Sequence, residues 1–530
     1  GMSRKVYPPF TDINVNGNVL STVLRDHQLA KTGLPKQITV SKVDILAGSV
    51  SLVANGQKVT GEDFSFSGRA ADVVTTESKL CGGGLKARAD GRWEYDGCLK
   101  YDLTLEAGNL NSLILEIPLK AQYASHIHAI GDGIRNSLSC QLKSGNGEIW
   151  NSSEVRTRSL PPNFCSYLFL GSPLRGICFF AENDKNWSWN RKTPNIRIER
   201  LGDKVIMKVF LVNKPVKITS PRKLSFGLLA APIKPRLKNW RSFWDQERFS
   251  LLGTCVNWCG GPGQASNLYP PGKDEYFWEL ISKSNTERLP KETVAKAVNR
   301  GLKYFDQFKN NQGAKRQWIK SLTYNLGGSR YGKSMVFYYN RAVFNALDEY
   351  TTFMNEWSLR DFVSRIYIPS RQEVKIVPSK SYIDFALYWY IRSFNYGNKG
   401  VYWDNWFYCP SYNTEETDAY FNPDGSITPA VGMWGLRELS KRTFQMMNER
   451  GMRPIIFPHV TSMSILPMLS FATVQYDWEW KYSTGDVQNR FTLPYIKLVS
   501  NGEVAGTVPV LLGEKGAQMR DEWVQRTYAG

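Results

Sequence analysis

The sequence predicts a multidomain β plus α/β protein: an N-terminal antiparallel β-sandwich over residues 1–230, then a (β/α)8 TIM-type barrel over residues 231–530. Three observations lead there. The chain has 530 residues, more than a single hydrophobic core accommodates. Its first part consists of short β-rich runs between Gly, Asn and Pro turns, with no long helical period. Beyond residue 231, strand-like runs alternate with amphipathic helical ones, the texture of a parallel sheet covered by helices.

In the first part, CLKYDLTLEA (98–107), SLILEIPLKA (112–121), SYLFLG (166–171) and RGICFFAE (175–182) read as strands. NIRIERLGDKVIMKVFLV (195–212) reads as two alternating strands about a Leu-Gly-Asp-Lys turn. The Pro-rich, charged stretch APIKPRLKNWRSFWD (231–245) reads as the linker. Past it, LGTCVNW (252–258) is a strand, and KDEYFWELISKS (273–284) and KETVAKAVNRGLKYFDQF (291–308) are helices. KSMVFYYN (333–340) and EVKIVPS (373–379) are strands, YIDFALYWYIRSF (382–394) is a helix, and GVYWDN (400–405) is a strand. WGLRELSKRTFQMMNERG (434–451) is a helix that stops at Gly451. RPIIFPH (453–459), ATVQYDWE (472–479) and GTVPVLLG (506–513) bring the strands to seven. The eighth is expected at 224–232, within 310–330, or past Gly530 in a barrel cut short at its C-terminus.

Composition narrows the partners. Net charge is +19, but it is scattered, and its densest stretches, KPRLKNWR (234–241) and KNNQGAKRQWIK (309–320), fit no nucleic-acid motif. A basic solvated surface is expected, and no nucleic-acid partner. No run approaches the ~20 apolar residues of a membrane span. GMSRKVYPPF lacks the apolar stretch of a signal peptide. Gly1 ahead of Met2 reads as left by expression, so a native leader is expected to be missing. The 8 Cys form no metal-spaced quartet, Cys255-x3-Cys259 being a weak pair; buried thiols are expected, with one or two disulfides if the protein is exported, and no metal and no cofactor. His126-x-His128 alternates on a strand face without further ligands and reads as structural. Aromatics make up 13% of the chain, with 17 Trp, a supply that core packing and sugar stacking both draw on.

Active sites of such barrels lie at the C-terminal ends of the strands, so the polar side chains there are the candidates. Strand side chains alternate between faces. In GVYWDN, Tyr402 and Asp404 are expected to face inward and Val401 and Trp403 the helices, with Asp404 at the mouth. His459, the only His beyond residue 231, ends RPIIFPH in the equivalent place. In TVQYDWEW (473–480), Thr473, Gln475, Asp477 and Glu479 share the face expected inward, and Val474, Tyr476, Trp478 and Trp480 the other. Paired carboxylates among aromatics suit glycosidic cleavage: one acid protonates the leaving oxygen while the other attacks or stabilises the oxocarbenium-like centre. Aromatic faces stack on sugars and raise the pKa of an adjacent acid by desolvation. The catalytic candidates are therefore Glu479 as general acid, with Asp404 and Asp477 as ionised partners. The substrate-binding candidates are His459, Tyr402, Asn405, Trp406, Trp258 and Glu356.

TGLPKQITV (32–40), GSPLRGICFFAENDKNWSW (171–189) and LSFGLLAAPIKP (224–235) are similar to the sandwich segments and junction of a largely uncharacterised group of bacterial, Bacteroidetes-type glycoside hydrolases related to glycoside hydrolase family 123. GVYWDNWF, PHVTSMSILPMLSF (458–471) and YDWEW (476–480) resemble the barrel pattern of that group, in which the last stretch more often reads Asp-Gly-Glu; here Trp478 stands for the Gly. The resemblance implies a β-sandwich joined to a (β/α)8 barrel, and a glycosidase acting on a complex carbohydrate outside the cytoplasm: secreted, periplasmic or on the cell surface. From family 123 it implies substrate-assisted retaining chemistry on N-acetylgalactosaminides by adjacent Asp and Glu. The adjacent pair here, Asp348-Glu349, lies eight residues past Asn340, on a helix face or loop. The departure at Trp478 keeps a second function open, a carbohydrate-binding protein whose barrel has lost catalysis.

Overall fold

The computed structural model describes residues 4–132, 136–243, 275–284, 286–305, 336–339, 341–344, 348–360, 373–477 and 492–511, with single positions between 312 and 326. Through Ala231 the strands described pair antiparallel, with one isolated parallel bridge between Ser188 and Val212. The largest sheet has ten strands and runs from Ser137–Gln141 at one edge to Thr60–Arg69 at the other, with Leu99–Leu110 and Arg222–Ala231 adjacent inside it. A six-stranded sheet centres on Lys204–Val212 and Leu113–Lys120, and a five-stranded sheet is built from residues 14–44. Alternation in the sequence makes these sheets. In Leu113–Lys120, Leu113, Leu115, Ile117 and Leu119 are wholly buried while the residues between them are half-buried. The hairpin predicted over 195–212 pairs Leu201 with Lys204, and Gly202 at φ 62° makes its two-residue turn. The inner faces of the sheets share one apolar cluster.

LSFGLLAAP, a candidate for the missing barrel strand, belongs instead to this antiparallel part. Arg222–Ala231 lies between Leu99–Leu110 and Gly176–Phe180. Its end is held by the buried Arg25, whose guanidinium donates to the carbonyl oxygens of Ala230, Pro232, Ile233 and Asp96.

The second part carries five adjacent parallel strands in chain order. Val336–Tyr339, Gly400–Trp403 and Ile456–Pro458 pair directly. A parallel bridge from His459 to Tyr476, with Thr473 N–H donating to Ile456 O (3.0 Å), adds Val474–Asp477, which pairs with Val508–Leu511. Helices Lys380–Asn395 and Met433–Glu449 precede the second and third strands. The first of these helices packs on one face: Tyr339 Oη donates to Ser393 Oγ (3.1 Å) and Trp403 Nε1 to Tyr390 Oη (2.8 Å). The other face is a separate apolar cluster that includes Phe243, Val336, Tyr402, Phe457, Val474, Tyr476 and Val508. Gly400 allows the second and third strands to meet, since a Cβ there would lie 2.3 Å from Ile455 O.

Eight-stranded closure is not seen among the described residues. The predicted strand at 373–379 is Glu373–Lys375, and it pairs antiparallel with Ala342–Phe344 rather than joining the parallel set. The predicted strand at 252–258 lies outside the described residues.

Buried charge ties the two parts together. Arg437, on helix Met433–Glu449, donates to both oxygens of Asp96 (2.7 and 2.8 Å) and to Glu94 Oε2 (2.7 Å). Lys441, one turn on, reaches Glu94 Oε1 at 3.0 Å. Cys98, Cys165 and Cys178 are buried free thiols. No helix among the described residues is long and apolar enough to cross a membrane.

Candidate active site

The Gly400–Trp403 strand ends in Asp404, whose N–H donates to Tyr339 O on the neighbouring strand (2.9 Å). Asn405 follows at φ 58°, a left-handed conformation that Asn tolerates, and its N–H donates to Asp404 Oδ1 (2.8 Å). The next strand ends in His459, whose N–H donates to Trp403 O (2.8 Å). The two strand ends thus bring a carboxylate and an imidazole together. His459 Nδ1 lies 3.1 Å from Asp404 Oδ1 and 2.9 Å from Tyr402 Oη. The edge-on ring of Tyr476, 5.3 Å away, packs against the imidazole.

His459 is 2% exposed and Asp404 21%. A carboxylate at Nδ1 favours the tautomer protonated there, which leaves the lone pair on Nε2. Nε2 is buried and has no hydrogen-bond partner among the described residues. Beyond His459, Thr461 and Ser462 take φ of 47° and 61° in succession. That is strained backbone for a β-branched residue, of the kind that gathers at functional sites.

The structure therefore brings together Asp404, His459, Tyr402 and Asn405 of the predicted set. Asp477 is not with them. Val474 and Tyr476 turn to the face that carries Tyr402 and Phe457, so Gln475 and Asp477 point the opposite way, the reverse of the expected orientation. Gln475 Nε2 donates to Val499 O (3.2 Å). Asp477 is 1% exposed; its Oδ1 accepts from Ser462 N–H (2.8 Å) and its Oδ2 from Tyr495 Oη. Trp406 also departs from expectation. It is 3% exposed, stacks on Trp403 at 4.2 Å, and donates through Nε1 to Met468 O, which leaves no face for a sugar. Glu356 accepts from Ser381 Oγ at the start of helix Lys380–Asn395, and Glu349 is exposed on helix Asp348–Trp357. Glu479, Trp478, Trp480 and Trp258 lie outside the described residues.

Two features escaped the sequence reading. One is Tyr476, placed against His459 by the parallel register. The other is Glu182, at the N-terminus of helix Met433–Glu449, which accepts from the N–H groups of Gly432 (2.6 Å) and Trp434 (2.9 Å). Burial pushes its carboxyl up to about 7. The Ala-Glu-Asn sequence around it gives no sign of either property.

Residues 13–142 match the model for the third domain of glycoside hydrolase family 123. The family 123 segment is about a quarter of the chain and lies wholly in the antiparallel part. It is the family whose resemblance the sequence carries. Solved structures similar to the chain include a family 36 α-galactosidase from Geobacillus stearothermophilus, with 10% identity, 98% of this chain and 83% of that one covered, and a TM-score of 0.31. An α-N-acetylgalactosaminidase from Bifidobacterium bifidum has 9% identity, coverage of 92% and 82%, and a TM-score of 0.29. A galactose 1-epimerase from Lactobacillus acidophilus has 9% identity, coverage of 42% and 97%, and a TM-score of 0.25. At such TM-scores these likenesses add nothing to the family 123 match. A search of curated proteins returned no match.

Proposed function

We propose that the protein is a glycosidase that cleaves a complex glycan, with its reaction centre where Asp404 and His459 meet at the C-terminal ends of the parallel strands. The family 123 match of residues 13–142 carries the reaction class. Five adjacent parallel strands support a (β/α)8 barrel over 231–530 behind an antiparallel sandwich over 1–230. In this reading Asp404 is the ionised carboxylate that stabilises the oxocarbenium-like centre or a substrate acetamido group, and His459 orients it and a sugar hydroxyl. Glu479, two residues past Asp477, is the general acid. A glycan substrate also favours an exported protein, secreted, periplasmic or on the cell surface.

Asp477 favours a second reading. Its two oxygens are engaged by Ser462 and Tyr495, so one expected carboxylate is withdrawn from the centre, as in a barrel that binds carbohydrate without cleaving it.

Glu479→Gln separates the two. In an enzyme it slows hydrolysis of poor leaving groups by roughly 10²–10⁴ and spares activated aryl N-acetylgalactosaminides, which need little protonation. Binding of these sugars with no turnover by the wild type establishes the second reading, and equal losses on both substrate types remove Glu479 from the acid role.

A further inference from the structure

A cleft of ≈ 200 Å³ opens where the antiparallel part meets the second part. It is walled by residues 182–186, by Lys223 and Ser225 of strand Arg222–Ala231, and by Asp418 and Trp434, the latter in the first turn of helix Met433–Glu449. Two buried side chains shape it. Asn183, 4% exposed, donates to Asp418 O (2.9 Å) and Pro429 O (3.1 Å) and accepts from the Lys185 N–H (3.0 Å). One amide thus fixes the backbone beneath both Lys185 and Asp418. Glu182 fixes the third wall through the Trp434 N–H (2.9 Å), and the Trp434 ring packs on Phe180 at 5.3 Å.

Lys185 and Asp418 are half-buried and oppositely charged, yet they do not pair. Among the described residues neither side chain makes a hydrogen bond or ion pair, and neither the ammonium nor the carboxylate is sealed from solvent. Burial raises the Glu182 carboxyl and the Asp418 charge adds to it, which sets the Asp418 carboxylate close to a side chain of the lining. Lys223 and Ser225 differ, since both are taken up by Asp102, at 2.7 and 2.6 Å.

Charge and size select the ligand. An anion meets Asp418 and Glu182, and a cation meets Lys185 and Lys223, so neither is favoured. A neutral molecule with adjacent hydroxyls donates to Asp418 and accepts from Lys185 at once, through two charge-assisted bonds. Both groups stand on backbone already held in place, which lowers the ordering cost of binding. The volume is that of roughly six or seven waters at ~30 Å³ each and below the ~300–1,000 Å³ of larger ligand pockets, the scale of one sugar ring. A small zwitterion would satisfy both charges but leave the Trp434 wall bare, whereas a sugar also offers it C–H groups. The Lys100 ammonium, 5.5 Å from the Trp434 centroid, is at the long end of such contacts and can be displaced.

We infer that this cleft is a second carbohydrate site, in which Asp418 and Lys185 hold the hydroxyls of one neutral sugar unit without acting on it. The site is independent of the chemistry proposed at Asp404.

Wild-type crystals soaked in D-galactose locate the sugar, and saturation-transfer NMR on the wild type, Asp418→Ala and Lys185→Ala measures its binding in solution. The sugar is expected in the cleft, within hydrogen-bond distance of Asp418 and Lys185. Its affinity is expected to fall about tenfold in each variant, the effect of one lost bond to a charged group. Neither variant breaks a side-chain bond, so both should keep the wild-type urea midpoint. D-galacturonate and glycine are expected to bind more weakly than galactose. Sugar in the cleft supports the inference even where none is found at Asp404, a result that would count against the reaction centre alone. A cleft without sugar, galactose affinity unchanged in both variants, or glycine binding more tightly than galactose overturns it.

Discussion

Replacing Arg437 with Met isolates the buried charge that joins the two parts of the chain. The Arg437 side chain is 3% exposed and faces Asp96, wholly buried, and Glu94, 12% exposed. It also donates to Ser470 Oγ and Pro467 O. Met keeps most of the stem's volume, so the dominant loss is electrostatic: Asp96 is left ionised with no cation on its oxygens. Removing one member of a buried ion pair costs about 3–5 kcal/mol. With a urea m-value of about 3 kcal/mol/M, the unfolding midpoint falls by about 1–1.7 M at pH 8.

The pH dependence is distinctive. Burial pushes the Asp96 carboxyl up, but the Arg437 guanidinium overrides it and holds the group below its ordinary value. In the wild type this gives stability that is present above the unfolded carboxyl's pKa and is lost as pH falls through the folded one. In Arg437→Met only burial remains, the folded pKa rises, and protonation relieves the penalty. The gap between variant and wild type is therefore expected to shrink from pH 8 to pH 4. Urea titrations followed by tryptophan fluorescence at both pH values measure it. A midpoint within about 0.3 M of the wild type at pH 8, or a gap that widens on acidification, refutes this account of the interface.

Asp404→Asn is expected to lower kcat by at least about 10² while leaving the urea midpoint nearly unchanged, measured on aryl N-acetylgalactosaminides. Asp477→Asn should do the reverse, costing about 1–3 kcal/mol of stability through the weakened Ser462 and Tyr495 bonds, read from the urea midpoint, with any activity loss following from unfolding. Glu182, buried and raised to about 7, holds its proton more tightly in the folded than in the unfolded chain. Its contribution is full below the unfolded pKa and is lost as pH rises through about 7, roughly 3 kcal/mol in all, a slope that Glu182→Gln should remove from the stability-pH curve. Gly400→Ala drives a methyl against the Ile455 carbonyl, so the variant should lose more than about 2 kcal/mol, measured by thermal unfolding.

Alternation made the site half legible. For GVYWDN it gave the correct face: Trp403 meets the helix through Tyr390, and Tyr402 and Asp404 meet His459. For TVQYD the same rule split the residues correctly and then chose the wrong face. A parallel strand is buried on both sides, so polarity does not tell which side is the interior. Gln475 and Asp477 are polar because backbone groups of Val499 and Ser462 and the Tyr495 hydroxyl need partners there. The aromatics misled for a related reason. Trp406 looked like a sugar platform, but its stacking partner is Trp403, three residues away in sequence. The antiparallel elements were easier to read, since local hairpins such as 195–212 carry both their period and their turn in adjacent residues.

The left-handed pair Thr461–Ser462 has its own anchor far upstream: Ser137 Oγ donates to Ser462 O at 2.7 Å, across 325 positions of sequence. His128, nearby on the same sheet, packs its ring 5.6 Å from Tyr495, the residue that fastens Asp477. The turn after His459 is thus pinned from outside by the edge of the ten-stranded sheet. A minimal fragment beginning near residue 231 would lack that pin, and directed evolution for a new substrate could reshape the rim by editing 126–141 without altering any residue of the parallel strands.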